Sequence, residues 1–139
     1  MPMPQDYQIA QQAFDALIAD ARDRLGLATR NQSYTVLQAV LTVFRRRLTP
    51  AQILIFADAL PALTRAIFVA GWHEGEHRAG FGSRTALEAE VRDLRRHHNF
   101  APEGSIRIIA GVLRRHADAD RLAAALAALP ERARRYWDA

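Results

Sequence analysis

At 139 residues, half of them hydrophobic and about a quarter charged, the chain is long enough for one globular domain that buries roughly two thirds of the surface its unfolded form exposes. The absence of Cys excludes disulfides, thiolate metal sites and cysteine nucleophiles. The net charge of +4 is carried by 19 Arg and no Lys, but 15 acidic residues are interspersed among them, so the excess does not by itself call for a nucleic-acid partner.

The segment from Met1 to Gln8 has neither the basic nor the apolar region of a secretory signal, and a cytoplasmic location is expected. From Tyr7 to Leu25, apolar residues fall at three-and-four spacing (Tyr7, Ala10, Phe14, Leu17, Ile18, Ala21, Leu25), which predicts an amphipathic helix ended by Gly26. Asn31 or Ser33 is the expected cap of a second helix. Its stripe of Tyr34, Leu37, Leu41, Phe44 and Leu48 is widened by Val36, Val40 and Val43, so burial on more than one side is implied. Arg45, Arg46 and Arg47 close that helix, where cations suit the negative end of the dipole.

Thr49-Pro50-Ala51-Gln52 is the clearest helix start, with Thr49 as N-cap, Pro50 at the first helical position and Gln52 placed to reach back. Pro61 then restarts the chain as the first residue of a fourth helix that runs toward Trp72. The window from Ala51 to Trp72 is nearly long enough to span a bilayer, but Asp58, Pro61 and Arg65 interrupt it. Residues 73–83 hold three glycines and read as a linker. Ser83 or Thr85 caps the next helix, with Thr85 and Glu88 at capping-box spacing and Leu87, Val91, Leu94 and His98 along its stripe. A sixth helix follows Pro102, a seventh starts at the capping Asp118, and Pro130 opens a short eighth that ends on Tyr136 and Trp137.

The second half of this series echoes the first. Leu37, Val40, Val43 and Phe44 align with Ile106, Ile109, Val112 and Leu113, Thr49 with Asp118, and Leu60-Pro61 with Leu129-Pro130. The prediction is an all-α single domain over 1–139. It has about eight helices in two quasi-repeated four-helix units, about 5–72 and 84–138, packed as one globular bundle around the linker at 73–83.

Three segments carry a family resemblance: YTVLQAVLTVFRRRLTPAQ, then FADALPALTRAIFVAGW, then a weaker second copy ending ALPERARRYW. Together they resemble the bacterial family called domain of unknown function 2267. The resemblance implies a small all-helical protein and brings no catalytic set or cofactor with it. Members typically continue Gly-Trp-Asp where this chain has Gly71-Trp72-His73, so the residue after Trp72 is not a dependable family feature.

The sharpest chemical motif is His73-Glu74-Gly75-Glu76-His77, which matches H-E-x-x-H. On a rigid helix, that spacing puts two imidazoles on one face to hold a metal while the Glu serves as general base. Here Gly75 sits at its centre and a glycine-rich linker follows, so a solvated loop is the stronger expectation, with His73 and His77 as the metal-ligand candidates. His97, His98, His116 or a distant carboxylate would have to supply a third ligand; the positions of these histidines at helix ends give them a capping role first. The Arg clusters are expected as solvated helix ends paired with Asp and Glu.

No phosphate loop, nucleophile elbow or carboxylate pair with a positioned base is visible. The expected function is therefore a non-enzymatic protein-interaction or ligand-binding module without a cofactor. Its partner is a protein or a second copy of itself, and neither a membrane nor nucleic acid is expected as a partner. If left uncovered, Tyr136 and Trp137 would form an aromatic anchor for such a partner. A metal-binding protein or a metal-dependent hydrolase using His73-Glu74-Gly75-Glu76-His77 is the alternative, and a basic nucleic-acid-binding protein the third.

Overall fold

The computed structural model describes residues 4–94 and 101–138, which form eight helices and no strand. In order they are α1 (Gln5–Leu25), α2 (Arg30–Arg45), α3 (Pro50–Asp58), α4 (Ala62–Val69), α5 (Arg84–Asp93), α6 (Ser105–His116), α7 (Ala119–Ala127) and α8 (Glu131–Trp137). None of these helices is long and apolar enough to cross a membrane.

Gly26 ends α1 in the left-handed conformation, at φ 69, and the amide of Leu27 donates back to the Arg22 carbonyl at 3.0 Å. A side chain there would meet the left-handed penalty, which is why Gly serves as the stop. The cap of α2 differs from the one expected. Thr29 fills it, accepting from the Gln32 amide at 3.1 Å, while the Gln32 side chain accepts from the Thr29 amide at 3.2 Å. Ser33 lies a turn inside, buried, and donates to the carbonyls of Arg30 and Ile18. The same reciprocal box at Thr49 and Gln52 opens α3 as the spacing predicts, with Pro50 in the first turn. Pro61 and Pro130 stand one position earlier than expected, as the residues preceding α4 and α8. Asp118 caps α7 by accepting from the amides of Asp120 and Arg121.

The fifth helix brings a correction. Ser83 alone caps α5, and Glu88 does not turn back to form a box with Thr85. It points inward instead, 8% exposed, and accepts from the Ser105 hydroxyl at 3.2 Å and the Ile106 amide at 3.4 Å. Gly104, which precedes α6, has no side chain to cap it, so a carboxylate from another helix meets one of the first amides of α6 and its dipole.

Helix α2 lies at the centre and packs against α1, α4, α5 and α6; α1 packs along α6, and α3 against α4 and α7. Val36, Leu37, Ala39, Val40, Leu41, Val43 and Phe44 are all sealed from solvent, as the wide stripe of α2 requires. Phe44 is the hub of an aromatic cluster, with ring centroids 4.8 Å from Phe56, 4.9 Å from Tyr136 and 5.0 Å from Trp137. Tyr136 also donates its hydroxyl to the Val40 carbonyl at 2.7 Å. Tyr136 and Trp137 are only 1% and 3% exposed, so the uncovered aromatic anchor entertained from sequence does not exist. The cause is that α8 folds back onto α6 and α2 rather than trailing into solvent.

Candidate functional site

His73 to His77 forms an irregular turn after α4, closed by the Glu76 amide donating to the His73 carbonyl at 2.9 Å. His73 and His77 are both exposed, and the turn does not place them on a common helix face, the arrangement that metal hydrolysis by H-E-x-x-H requires. Glu76 is committed elsewhere. Its two oxygens take Nε and Nη2 of Arg45 at 3.2 and 2.7 Å, while Nη1 of Arg45 donates to the carbonyls of Phe68 and Ala70. Arg45 thereby caps the end of α4 and clamps the following loop. Among the described residues there is no group of three or more His, Cys, Asp or Glu able to hold a metal; His97 and His98 lie outside those residues.

The segment 73–83 is thus less a tether than a strap. Beyond the Glu76 contact, the Ala79 amide donates to the Arg46 carbonyl, Phe81 packs on the core, and the Phe81 carbonyl accepts from Arg132 at 3.1 Å. The arginines closing α2 are paired as expected, since Arg46 and Arg47 share Glu90. They are not all solvated: the side chains of Arg45 and Arg47 are 6% and 8% exposed, because the strap and α5 lie over them.

At the opposite end of α2's neighbours, Asp20 on α1 gathers three partners: Arg24 at 3.2 Å, Arg115 at 3.0 Å and His116 Nε2 at 2.9 Å. Partial burial pushes its carboxyl upward, but the hydrogen bonds from Arg115, His116 and Arg24 outweigh that and hold it at about 2, against an ordinary 3.8. A depressed carboxylate stabilises the fold fully above pH 3.8 and loses that contribution as pH falls toward 2. The shift corresponds to about 2 kcal/mol. Asp20→Asn is therefore expected to unfold at lower urea concentration than the parent at pH 7, with the gap shrinking steadily below pH 4; a gap independent of pH would show that the charge is not responsible.

A cleft of about 520 Å³ opens where the strap meets α5 and α8. Its walls bring together Ser83 and Arg84 at the start of α5, Arg132 and Arg135 on α8, and the rings of Phe81 and Tyr136. Arg84 is held rigidly, donating to the carbonyls of Arg135 and Tyr136 at 2.7 and 3.1 Å, with its guanidinium 5.7 Å from the Tyr136 ring centre. Arg135 pairs with Glu131 one turn away, and Arg132 spends one nitrogen on Phe81. Sequence reading grouped Arg132 and Arg135 as a helix end and passed over Arg84 and Phe81. The signal was the adjacency of an Arg to a helix cap, which local reading treats as ordinary.

A second surface is apolar. Leu17, Ile18, Ala21 and Leu25 carry α1's stripe through the core, and the same stripe continues outward through the half-buried Phe14 and Ala10 to Tyr7, which is 66% exposed. Gln5 to Ile9 lies wholly on the outside. The charges on this projecting part are Asp6 and Asp15, and no Arg occurs before Arg22.

The model of a family described as an uncharacterized conserved protein (DUF2267) matches residues 14–136, which leaves the projecting turns of α1 outside the match. No curated protein matches the chain.

Proposed function

The chain belongs to the domain of unknown function 2267 family, and from that premise we propose that it is a non-enzymatic helical module that docks a partner protein along the outer turns of α1. The observation that carries this reading is the continuation of α1's apolar stripe beyond the core through Phe14 and Ala10 to Tyr7. An apolar stripe without a covering element is the surface that helix-on-helix recognition uses, with anchors at three-and-four spacing. Asp6 and Asp15 flank it without a compensating cation, so the complementary partner is an amphipathic helix with basic flanks. Binding rather than catalysis is favoured because these ionisable groups are spent on structure: Glu76 on Arg45, Glu88 on Ser105, Asp20 on Arg24, Arg115 and His116, and Tyr136 on a carbonyl.

The two halves support the reading of an internal repeat. Arg45 and Arg114 each reach the carbonyl at the end of the helix that closes their half, Phe68 and Trp137 respectively, and Arg65 and Arg134 reach those of Leu60 and Leu129 before the two Leu-Pro junctions. Helix α1 lies against α6 as α5 lies against α2, the exchange a pseudo-twofold would produce.

Amide hydrogen exchange on the full chain tests the docking surface first. Residues 8–13 are expected to exchange at least about a hundredfold faster than residues 18–25, because a helix end without tertiary cover frays. Addition of a synthetic amphipathic helix with basic flanks is expected to slow them, and Tyr7→Asp to abolish that slowing. Equal protection along α1 without any addition, arising from self-association in sedimentation equilibrium, would assign the stripe to a second copy; no response to basic or acidic helices would remove the proposal.

A further inference from the structure

The cleft between the strap, α5 and α8 lies away from the projecting turns of α1 and is built from different chemistry. Three guanidinium groups, those of Arg84, Arg132 and Arg135, line one concave surface, and among the described residues Glu131 is the single carboxylate paired with any of them. Among the described residues Arg84 has no carboxylate partner. Its hydrogen bonds run to two backbone carbonyls, so its position is fixed while its charge still acts on the cleft. Arg132 commits Nη1 to the Phe81 carbonyl, which anchors it in the wall of the cleft, and its other nitrogens have no protein acceptor among the described residues. Like charges brought this close repel one another, and an anion between them would turn that cost into attraction. The first turn of α5 opens on the same surface through Ser83 and adds the positive end of its dipole. The walls are not uniformly polar: Phe81 offers a partly exposed ring, with Leu87 behind it.

We propose that this cleft binds a small phosphorylated ligand, with Arg132 and Arg135 holding its phosphate oxygens, Arg84 supplying fixed positive charge, and Phe81 receiving the apolar or planar remainder of the molecule. Guanidinium is the group suited to the task, since its fork matches the geometry of phosphate oxygens. The volume of about 520 Å³ is that of a small-molecule site. Several arginines outside the cleft are already engaged by carboxylates, which reduces the basic track a nucleic-acid strand would need: Arg45 pairs with Glu76, Arg46 and Arg47 share Glu90, Arg24 and Arg115 share Asp20, and Arg121 pairs with Asp58.

Titration calorimetry of the full chain at low salt tests this with three probes: inorganic pyrophosphate, adenosine triphosphate and a mixed-sequence single-stranded oligonucleotide. One-to-one binding of adenosine triphosphate is expected, tighter than that of pyrophosphate because the ring of Phe81 contributes. Arg132→Ala and Arg135→Ala, both at exposed positions, are each expected to weaken both small probes about tenfold or more. Arg121→Ala, which removes an exposed Arg paired with Asp58, is expected to change nothing. Phe81→Leu separates the two parts of the site: it should weaken adenosine triphosphate while leaving pyrophosphate within about twofold. Melting curves of each variant report whether the fold is kept. Absence of binding by both small probes at millimolar concentration overturns the proposal, as does binding that survives in both Arg variants. Tighter binding of the oligonucleotide, with a log-log salt slope corresponding to several phosphates, would replace it with nucleic-acid recognition. The docking of a helix on α1 is read by a different probe and different residues, so either reading can fail alone.

Discussion

Replacing Glu76 with alanine is expected to destabilise the protein by about 3–5 kcal/mol, far more than its place in a loop suggests. Glu76 neutralises Arg45, whose side chain is 6% exposed beneath the strap. Without the carboxylate, the guanidinium keeps its two carbonyl acceptors, Phe68 and Ala70, but is left as an uncompensated charge in a poorly solvated place. Arg45→Met removes that charge and leaves the carbonyls without their donor, and it is expected to cost less than Glu76→Ala. The double variant separates the effects. If the pair acts as a unit, Glu76→Ala on the Arg45→Met background should cost under about 1 kcal/mol, because nothing remains for the carboxylate to neutralise. Urea unfolding of the four proteins measures all of this, and simple additivity of the two single changes would show that Glu76 acts through something other than Arg45.

Phe44→Ala is the other large effect, expected at about 3–5 kcal/mol. The ring is sealed from solvent and touches Phe56, Tyr136 and Trp137 at centroid separations of 4.8–5.0 Å. These partners come from two other helices, α3 and α8, so the surrounding structure cannot collapse on the void without moving α3 and α8 relative to α2. Phe44→Leu keeps most of the volume and is expected to recover more than half of the loss. Near-ultraviolet circular dichroism should change with the alanine variant, since Tyr136 and Trp137 lose the ring that fixes them; an unchanged spectrum and an unfolding midpoint equal to the parent's would contradict the hub assignment.

The local signals in the sequence were read well where the physics is local. Thr49-Pro50 with Gln52, Gly26 and Asp118 mark helix ends through backbone groups within a few residues, and each does so in the structure. The family resemblance, carried by the basic end of the second helix and the two Leu-Pro segments, agrees with the matched family. The errors arise where a residue serves a distant partner. Glu88 has capping-box spacing to Thr85, yet the amide of Ile106 and the hydroxyl of Ser105 that it satisfies belong to α6. Ser33 resembles a cap and is instead a buried donor between α1 and α2, while Thr29 does the capping. The cationic cleft draws Phe81 and Arg84 to Arg132 and Arg135, some fifty positions later, and only tertiary packing makes them neighbours. His73 and His77 satisfied a spacing rule whose physical premise, a continuous helix, Gly71 removes by turning left-handed at φ 76 just upstream.

The position of Tyr136 and Trp137 in the aromatic cluster has a consequence for how the chain is made. Phe44 and Phe56 are synthesised early, but the rings that cover them arrive about eighty residues or more behind. At ribosomal speeds of roughly 5–20 residues per second, the half-built core stays open for several seconds. During that interval Phe44 and Phe56 have Phe68 and Phe81 to pack on but lack the two rings of α8 that complete their cover. The hydroxyl of Tyr136 on the Val40 carbonyl is then the latch that closes a nascent chain. A ribosome halted before that residue leaves a polypeptide with most of its helices and an unfinished centre, the form in which this protein is most exposed to chaperones and proteases.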